Sequence, residues 1–257
     1  MGLVEYNQIF NKNTIVVFTD GSIHTNKNSR RTYSSSANIV VHGNDVFYSE
    51  PLVLKNSTNN IGELIAIYEG INNSCKLYYN LMQRRINVTD IYLFSDSKYC
   101  IDGLTAWLTK WVNNQQDKKL INYAGQPVVN QHIFQIIIRL ISQTKIPIRL
   151  FKMRGHMEDY YSEAKIQKNI NKLRDYLHFN NYNVLARGFC SDELVKTIAD
   201  FNSKVDHMAY DSLKRFRVSE NIDDSDIQYS NLLFPIHYMG IQPFQLHEYF
   251  DIIKYYG

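Results

Sequence analysis

IVVFTDGS, residues 15–22, is a short apolar run that leads directly into an acidic segment containing a glycine. Four consecutive apolar residues bounded by turn formers predict a strand that is buried on both faces. We expect this strand to end at residues 19–22, where the chain turns into a polar, basic loop over residues 23–36. Residues 37–41 and 46–48 predict two more strands. Together the three strands predict an antiparallel meander.

The hydrophobic period changes after Thr58, where apolar residues recur every three or four positions as far as Met82. This spacing predicts a long amphipathic helix, and Asn60 and Glu63 have the spacing of a capping box at its start. The remaining predicted elements are a buried strand at 91–94, helices at about 98–112 and 131–143, and a strand at 148–153. This order predicts an α/β protein with a mixed sheet of five strands flanked by helices.

Acidic residues stand at the carboxyl ends of two buried strands. Asp20 follows the first strand, and Asp96 follows the strand after the long helix. A right-handed helical crossover makes these two strands parallel, so their C-terminal ends lie side by side. Glu63, on the first turn of the connecting helix, can point toward the same edge. Taken singly, the three residues also fit structural roles as a turn former, half of a capping box and a helix N-cap.

Three carboxylates gathered at one edge repel one another unless a cation neutralises them. Oxygen ligands of this kind favour Mg²⁺ or Mn²⁺. Two such ions about 3.5–4 Å apart are a common device for cleaving a phosphodiester. The sequence therefore predicts a metal-dependent site that acts on phosphate esters.

Five segments, in chain order, resemble ribonuclease H of type 1. They are FTDGS (18–22), TNNIGELIAI (58–67), SDSKYCIDGLTAWLTKW (95–111), RGH (154–156) and NSKVDHMA (202–209). The third segment is similar to the family beyond its aspartate, through a G-x-T-x-W-x-x-x-W stretch. The resemblance covers about residues 14–156 and 202–215. It implies a ribonuclease H-like fold and an endoribonuclease that hydrolyses the RNA strand of RNA/DNA hybrids with two divalent cations, Mg²⁺ or Mn²⁺ as its substitute.

The resemblance also implies which residues are catalytic. His156 matches the family's mobile histidine, which is thought to assist water positioning or product release. Asp206 lies in N-x-x-V-D-x-M-A, which is similar to the family's last helix. The residues that match the four metal ligands are Asp20, Glu63, Asp96 and Asp206. Rival candidates for the fourth ligand lie nearer to the histidine and are Glu158, Asp159 and Glu163.

Further matches concern the substrate. Asn59 and Asn60 match a pair that contacts the minor groove of the hybrid, where 2′-hydroxyls distinguish RNA from DNA; helix capping is the competing interpretation. Tyr99 and Trp107 match the family's aromatic channel beneath the DNA sugar. Ordinary helix packing is the competing interpretation for Trp107 and Trp111, and for Trp111 we prefer it. Two members of a pocket for a phosphate of the DNA strand are matched by Thr58 and Asn130.

The chain is longer than the family pattern between His156 and Asp206, which are about 50 positions apart where the family has a short loop. Long insertions in surface loops are thermodynamically tolerable. We expect a ribonuclease H-like domain over residues 14–215, with a helical insertion at about 157–200. Residues 1–13 are expected to be an N-terminal tail, and residues 216–257 a C-terminal extension.

Composition sets the outer limits. The chain has 257 residues, 44% of them hydrophobic, and a net charge of +3, which is only a mild preference for anionic partners. No apolar run reaches the roughly 18 residues of a membrane span, and the first residues lack the pattern of a signal peptide. Three widely spaced cysteines fit a reducing compartment. We expect a soluble, non-secreted, monomeric protein of the cytoplasm or nucleus, with no membrane partner.

Two alternatives to a hybrid-cleaving enzyme remain open. The first is a non-catalytic ribonuclease H-fold module that binds nucleic acid or protein. The second is a transposase- or integrase-like nuclease that acts on DNA, against which Thr58, Asn59, Asn60 and Trp107 argue. The presence of all four matched ligands favours the enzyme. The aromatic-rich segment 232–257 is a candidate docking element for a protein partner.

Overall fold

The computed structural model describes residues 10, 12–26, 31–116, 119–155 and 192–218, together with 164, 167–168, 171–172 and 174–175. In chain order the elements are β1 (Thr14–Thr25), β2 (Thr32–His42), β3 (Asp45–Tyr48), β4 (Leu52–Lys55), α1 (Asn59–Gln83), β5 (Asp90–Ser95), α2 (Lys98–Leu104), α3 (Leu108–Asn113), α4 (Gln131–Gln143), β6 (Ile148–Lys152) and α5 (Asp192–Val218). The predicted α/β class is confirmed.

The strands form one mixed sheet with the order β3-β2-β1-β5-β6. β1 pairs antiparallel with β2 and parallel with β5, and β6 continues the parallel half. The prediction of five strands was one short: the sheet of the described residues has six, because β4 also pairs with β2. β3 pairs with the second half of β2 and β4 with the first half, so two short strands share one edge.

The first strand is longer than predicted. A turn was expected at residues 19–22, but β1 continues to Thr25, paired with β2 from Asp20 opposite Ala37 to Thr25 opposite Thr32. The prediction failed because a strand partner satisfies backbone hydrogen bonds whatever the polarity of the side chains. The parallel ladder with β5 is shorter and stops at the pair Thr19 and Ser95. Asp20 is therefore the first residue of β1 beyond that ladder.

Helices cover both faces of the sheet. Successive residues of a strand point to opposite faces of the sheet. Ile15 and Val17 therefore pack in one core with helices α1, α2, α3 and α4, and Val16 and Phe18 pack against α5 in the other. The second core contains a column of rings. Phe18 stacks on Phe94 at a centroid distance of 5.4 Å and on Phe201 of α5 at 5.1 Å. The column holds α5 against the sheet.

Helix α1 lies unusually close to the sheet, and small residues make this possible. A Cβ on Gly62 would be 2.6 Å from the carbonyl oxygen of Ser35, and one on Gly70 would be 2.8 Å from Cγ2 of Thr19. The close packing carries the start of α1 over β1 and β2.

Thr58, not Asn60, is the N-cap, and its side chain accepts a hydrogen bond from the backbone nitrogen of Ile61 at 3.3 Å.

The single helix predicted for residues 98–112 is two helices, α2 and α3. The break occurs at Thr105, whose φ of −122° and ψ of −85° leave the helical region. Its hydroxyl donates back to the carbonyl oxygen of Ile101 at 2.6 Å. The break turns the chain so that Trp107 directly precedes α3.

Much of the predicted insertion and both chain ends lie outside the described residues. Between 156 and 191, the residues that are described, such as 167–168 and 171–172, are helical. Residues 192–200 belong to α5, so the end of the predicted insertion is continuous with the helix that carries Asp206. Phe10, within the predicted N-terminal tail, is buried with its ring 6.2 Å from that of Phe201. Among the described residues, no helix combines the length and the hydropathy needed to cross a membrane.

Candidate active site

Three of the predicted ligands meet at the edge of the sheet. Carboxylate oxygens of Asp20, Glu63 and Asp96 all lie within 4.8 Å of one another. Asp20 comes from β1, Glu63 from the first turns of α1, and Asp96 from the residue after β5. Asp20 is only 4% exposed and Glu63 only 5%. The structure therefore gathers three acidic side chains, of which Asp20 and Glu63 are buried and Asp96 is partly exposed.

The backbone at Gly21 brings the first two carboxylates together. A Cβ on Gly21 would overlap the backbone nitrogen of Glu63 and lie 2.7 Å from the carbonyl carbon of Gly62. Such a distance is possible only for glycine, so β1 passes directly over the first turn of α1. The amide of Gly21 also donates to Oδ1 of Asp20 at 2.9 Å. This residue thus positions Asp20 and Glu63 side by side.

A second glycine lies against the third carboxylate. The chain leaving β6 stays attached to β5 through a hydrogen bond of 2.8 Å from the amide of Met153 to the carbonyl oxygen of Ser95. Two residues later, a Cβ on Gly155 would overlap Oδ2 of Asp96. The backbone at residue 155 therefore borders the Asp96 carboxylate on the side away from β1.

Burial and mutual repulsion make the charged forms of Asp20 and Glu63 unfavourable. Burial, together with the charges of Glu63, Asp96 and Asp206, raises the pKa of Asp20 from 3.8 to about 11. The pKa of Glu63 is also raised, mainly by burial and then by Asp96, against a smaller lowering by the amide of Gly21. Among the described residues, Oε2 of Glu63 is buried without a hydrogen-bond partner. Clustered oxygens with a raised proton affinity fit a divalent cation that prefers hard ligands.

Helix α5 supplies the other wall of a cavity of about 520 Å³ that opens onto the three carboxylates. Asp206 lines this cavity, and its charge and its hydrogen bond with Asp20 both contribute to the raised pKa of Asp20. A buried hydrogen bond of 2.7 Å from Oγ of Ser35 on β2 to the carbonyl oxygen of Ala209 fixes α5 at this point. The structure thus brings the fourth predicted ligand to the other three.

Sequence reasoning missed several residues of the cavity. Ile23 lines it from the unpredicted extension of β1, and Asn202, His207 and Tyr210 line it from α5. Asn202 and Tyr210 stand four residues before and after Asp206, and residues at this spacing share a helix face. That spacing was a usable signal once Asp206 had been chosen. Ile23 gave none, because its surroundings were predicted to be a loop.

Of the two residues predicted to contact the minor groove, Asn59 and Asn60, only Asn59 lines the cavity. Asn59 lines the cavity, and its side-chain amide donates to Oε1 of Glu63 at 3.5 Å. Asn60 is exposed and is not part of the cavity lining. Thr58 is exposed as the cap of α1. Thr58 therefore caps α1, and neither asparagine is the N-cap. The prediction that Thr58 belongs to a phosphate pocket remains a prediction.

The predicted aromatic channel forms a second cluster, on α2 and the segment before α3. The rings of Tyr99 and Trp107 are 6.4 Å apart, and the Tyr99 hydroxyl donates to the carbonyl oxygen of Val129 at 2.7 Å. Asn130 contacts the same tyrosine through a side-chain hydrogen bond. Burial raises the pKa of Tyr99, and this hydrogen bond lowers it by a smaller amount. Trp111 is buried against Phe134, as the packing interpretation predicted.

His156 lies outside the described residues, and so do its acidic neighbours Glu158, Asp159 and Glu163. The predictions made for these four residues remain predictions.

Comparison with known proteins identifies the family. The family model described as RNase H matches residues 12–169, and the chain belongs to this family. The resemblance inferred from the five motifs is therefore confirmed. The match ends before α5, so the place of Asp206 depends on its motif and on the structure.

Two curated relatives and one solved structure illustrate the likeness. The chain is 31% identical to the ribonuclease H of Schizosaccharomyces pombe over 146 residues, which are 56% of this chain and 47% of the relative. It is 36% identical to the ribonuclease H of Tropheryma whipplei, strain Twist, over 108 residues, 42% of this chain and 57% of the relative. The chain thus spans about half the length of these relatives. The crystal structure of RNase H1 from the archaeon Halobacterium salinarum matches 62% of this chain and 98% of that chain, at 12% identity and a TM-score of 0.38.

Proposed function

We propose that this protein is a metal-dependent endoribonuclease that hydrolyses the RNA strand of RNA/DNA hybrids. The observation that carries the proposal is the meeting of Asp20, Glu63 and Asp96 within 4.8 Å. Membership of the RNase H family supports the reaction and the substrate. The relatives with this family's name are hydrolases of the same class, and the cavity beside the carboxylates leaves room for a substrate strand.

The proposed cofactor is Mg²⁺, two ions per site, with Mn²⁺ as a substitute. The residues that would hold the ions are Asp20, Glu63, Asp96 and Asp206. Divalent cations supply a neutralising charge, a bound water of lowered pKa and stabilisation of the leaving oxygen. The unpartnered Oε2 of Glu63 and the raised pKa of Asp20 support this fit, because each marks a carboxylate whose charge lacks compensation.

The remaining residues bind and orient the substrate in this proposal. Asn59 holds Glu63 through its side-chain amide and borders the cavity, where it can contact the RNA strand. Tyr99 and Trp107 present an aromatic surface to a sugar of the DNA strand, and Asn130 beside Tyr99 binds a phosphate together with Thr58. Asn60 contacts the minor groove from the exposed start of α1. His156 assists the attacking water or product release, and the products carry 5′-phosphate and 3′-hydroxyl ends.

A non-catalytic module of the same fold is the alternative function. The burial of Asp20 and Glu63 argues against it, because two buried carboxylates destabilise a fold that has no use for a cation. The free, buried thiols of Cys75 and Cys100 support the further proposal of an intracellular protein that acts in a reducing compartment. We also propose that it is a monomer.

The test is cleavage of a labelled RNA/DNA hybrid in Mg²⁺ and separately in Mn²⁺, with RNA and DNA duplexes as controls. Asp96→Asn and Asp206→Asn are expected to lose hybrid cleavage. Asp211→Asn is the matched control, since Asp211 is exposed on the same helix as Asp206. It should retain the wild-type rate. Wild-type protein that binds the hybrid and cuts it in neither metal would establish the non-catalytic alternative.

A further inference from the structure

Asn202 is an unusual residue of the cavity because it is polar, buried and unsatisfied. It is 5% exposed, and its Oδ1 is a buried acceptor without a hydrogen-bond partner among the described residues. A buried acceptor without a donor destabilises a folded protein, and such groups are uncommon in native structures. The fold therefore keeps at this position a side chain that is unfavourable for stability alone.

The position of Asn202 shows where its partner must come from. It lines the same cavity as Asp20, Glu63 and Asp96, and stands one helical turn before Asp206 on α5. In the cation-loaded site of the proposed function these carboxylates are ionised and only accept hydrogen bonds, so they compete with Oδ1 for donors instead of supplying one. The remaining polar side chains of the described lining do not reach Oδ1 either. The described residues thus leave this donor position open to a molecule that enters the cavity.

The chemistry of nucleic acids narrows the choice of donor. Phosphate and ring oxygens of a sugar-phosphate backbone are acceptors, and the 2′-hydroxyl of ribose is its one hydrogen-bond donor, absent from DNA. We propose that Oδ1 of Asn202 accepts a hydrogen bond from a 2′-hydroxyl of the RNA strand beside the scissile phosphate. This inference rests on the proposed function and assigns to α5 a part in distinguishing RNA from DNA.

The spacing along α5 fits a sugar next to the reacting phosphate. Residues four apart on a helix are separated by about one turn, or about 5.4 Å along the axis. Asp206 is the member of this pair that interacts with Asp20. Asn202 is then displaced along the cavity from the carboxylates, where an adjoining sugar lies. A cation-bound water is the other source of an O–H donor, and the experiment separates the two.

The experiment combines a protein change with a substrate change. Asn202→Leu replaces the amide by an apolar side chain of similar size. The substrates are hybrids in which one ribonucleotide at a time carries 2′-deoxyribose, and cleavage is measured at each phosphate. Wild type is expected to lose about tenfold in rate when the contacting 2′-hydroxyl is removed. The variant should be about tenfold slower on the all-ribose hybrid and insensitive to deoxyribose at that one position.

Equal slowing by Asn202→Leu at every 2′ position, with a weaker calorimetric affinity for Mg²⁺, would overturn the inference in favour of a cation-bound water. Failure of the proposed function is recognised separately, because the wild-type protein then cleaves no hybrid at all. In that event the inference is decided by binding of Asp96→Asn, with and without Asn202→Leu, to the same set of hybrids. Loss of 2′ discrimination in the double variant supports it, and equal discrimination overturns it.

Thermal unfolding separates substrate contact from a structural role. Asn202→Leu should keep or raise the melting temperature, because it removes an unsatisfied polar group. The matched control is Asn73→Leu on α1, where the asparagine amide donates to Oδ1 of Asn38 at 3.2 Å. That control should lower the melting temperature and leave the response to 2′-deoxyribose unchanged. A similar loss of stability in both variants would assign Asn202 a structural role and overturn the inference.

Discussion

The backbone of Gly21 touches that of Glu63 so closely that a methyl group at position 21 would overlap the Glu63 nitrogen. This contact joins β1 to the first turn of α1, the helix that follows three strands later. It is the reason that the carboxylates of Asp20 and Glu63, 43 positions apart in the sequence, lie side by side. The acidic cluster therefore depends on the absence of a side chain as much as on the three that are present.

Gly21→Ala is expected to lower the free energy of unfolding by about 1–3 kcal/mol, since the added carbon meets backbone that cannot rotate away. Urea denaturation followed by circular dichroism measures the change. The matched control is Gly43→Asn, at a turn with φ of 59° and no atom within 4 Å of an added Cβ. Asparagine tolerates this conformation, so the control should unfold like wild type. Equal stability of both variants would show that the contact between β1 and α1 is looser than described.

Gly155→Ala should act on activity more than on stability. The added carbon overlaps the Asp96 carboxylate, a side chain that can rotate away from it, so the fold is retained while a proposed metal ligand is displaced. We expect at least a tenfold loss of hybrid cleavage and a shift of the Mg²⁺ requirement to higher concentration, with little change in melting temperature. Wild-type Mg²⁺ dependence in this variant would contradict the placement of Gly155.

Stability without divalent cations should fall as the pH rises. The pKa of Asp20 is about 11 in the folded protein and near 3.8 when unfolded, so between these values the folded state retains a proton that the unfolded state has lost. Stability then decreases with pH, by up to about 1.4 kcal/mol per unit for one proton. Melting temperatures in a chelator at pH 6 and pH 9 measure it, and Mg²⁺ should give the larger increase at pH 9. Asp20→Asn should reduce the slope, whereas a rising melting temperature in the chelator would refute the argument.

Ser35→Ala removes the hydrogen bond that fixes α5 to β2 near Asp206. We expect a loss of about 0.5–1.5 kcal/mol in stability and a higher Mg²⁺ requirement for cleavage, because the helix that carries Asp206 is less firmly held. Ser142→Ala is the matched control: its hydroxyl donates to the carbonyl oxygen of Arg139 within α4, away from the cavity. It should leave the Mg²⁺ requirement unchanged. The same shift in both variants would exclude a special role for Ser35.

The convergence of Asp20 and Asp96 could be predicted because it follows from chain topology. A helical crossover between two strands makes them parallel, and the acids that follow them must meet. The structure bears this out through the ladder that ends at Thr19 and Ser95. Asp206 had no such rule to place it, since nothing local relates a distant helix to the sheet edge. Its motif alone indicated it.

The parts that could not be predicted share a physical cause, which is tertiary contact that overrides local polarity. Ser22 and His24 look like loop residues, yet they extend β1 because β2 offers them a backbone partner. Asn202 belongs to a residue type that is usually exposed, and only the packing of α5 shows that it is buried. The break at Thr105 also gave no sequence signal, because leucine and tryptophan continue the helical pattern across it.

The aromatic column of Phe18, Phe94 and Phe201 has a consequence for folding during synthesis, because its members are far apart in the chain. Helix α5 follows all six described strands in the chain, so a nascent chain that ends before Asp192 already holds Asp20, Glu63 and Asp96 but lacks Phe201, which stacks on Phe18. When α5 is added, it packs on the face of the sheet that carries Phe18 and brings Asp206 to the cavity in the same step. The same helix thus completes the second core and the group of four acidic side chains at the cavity.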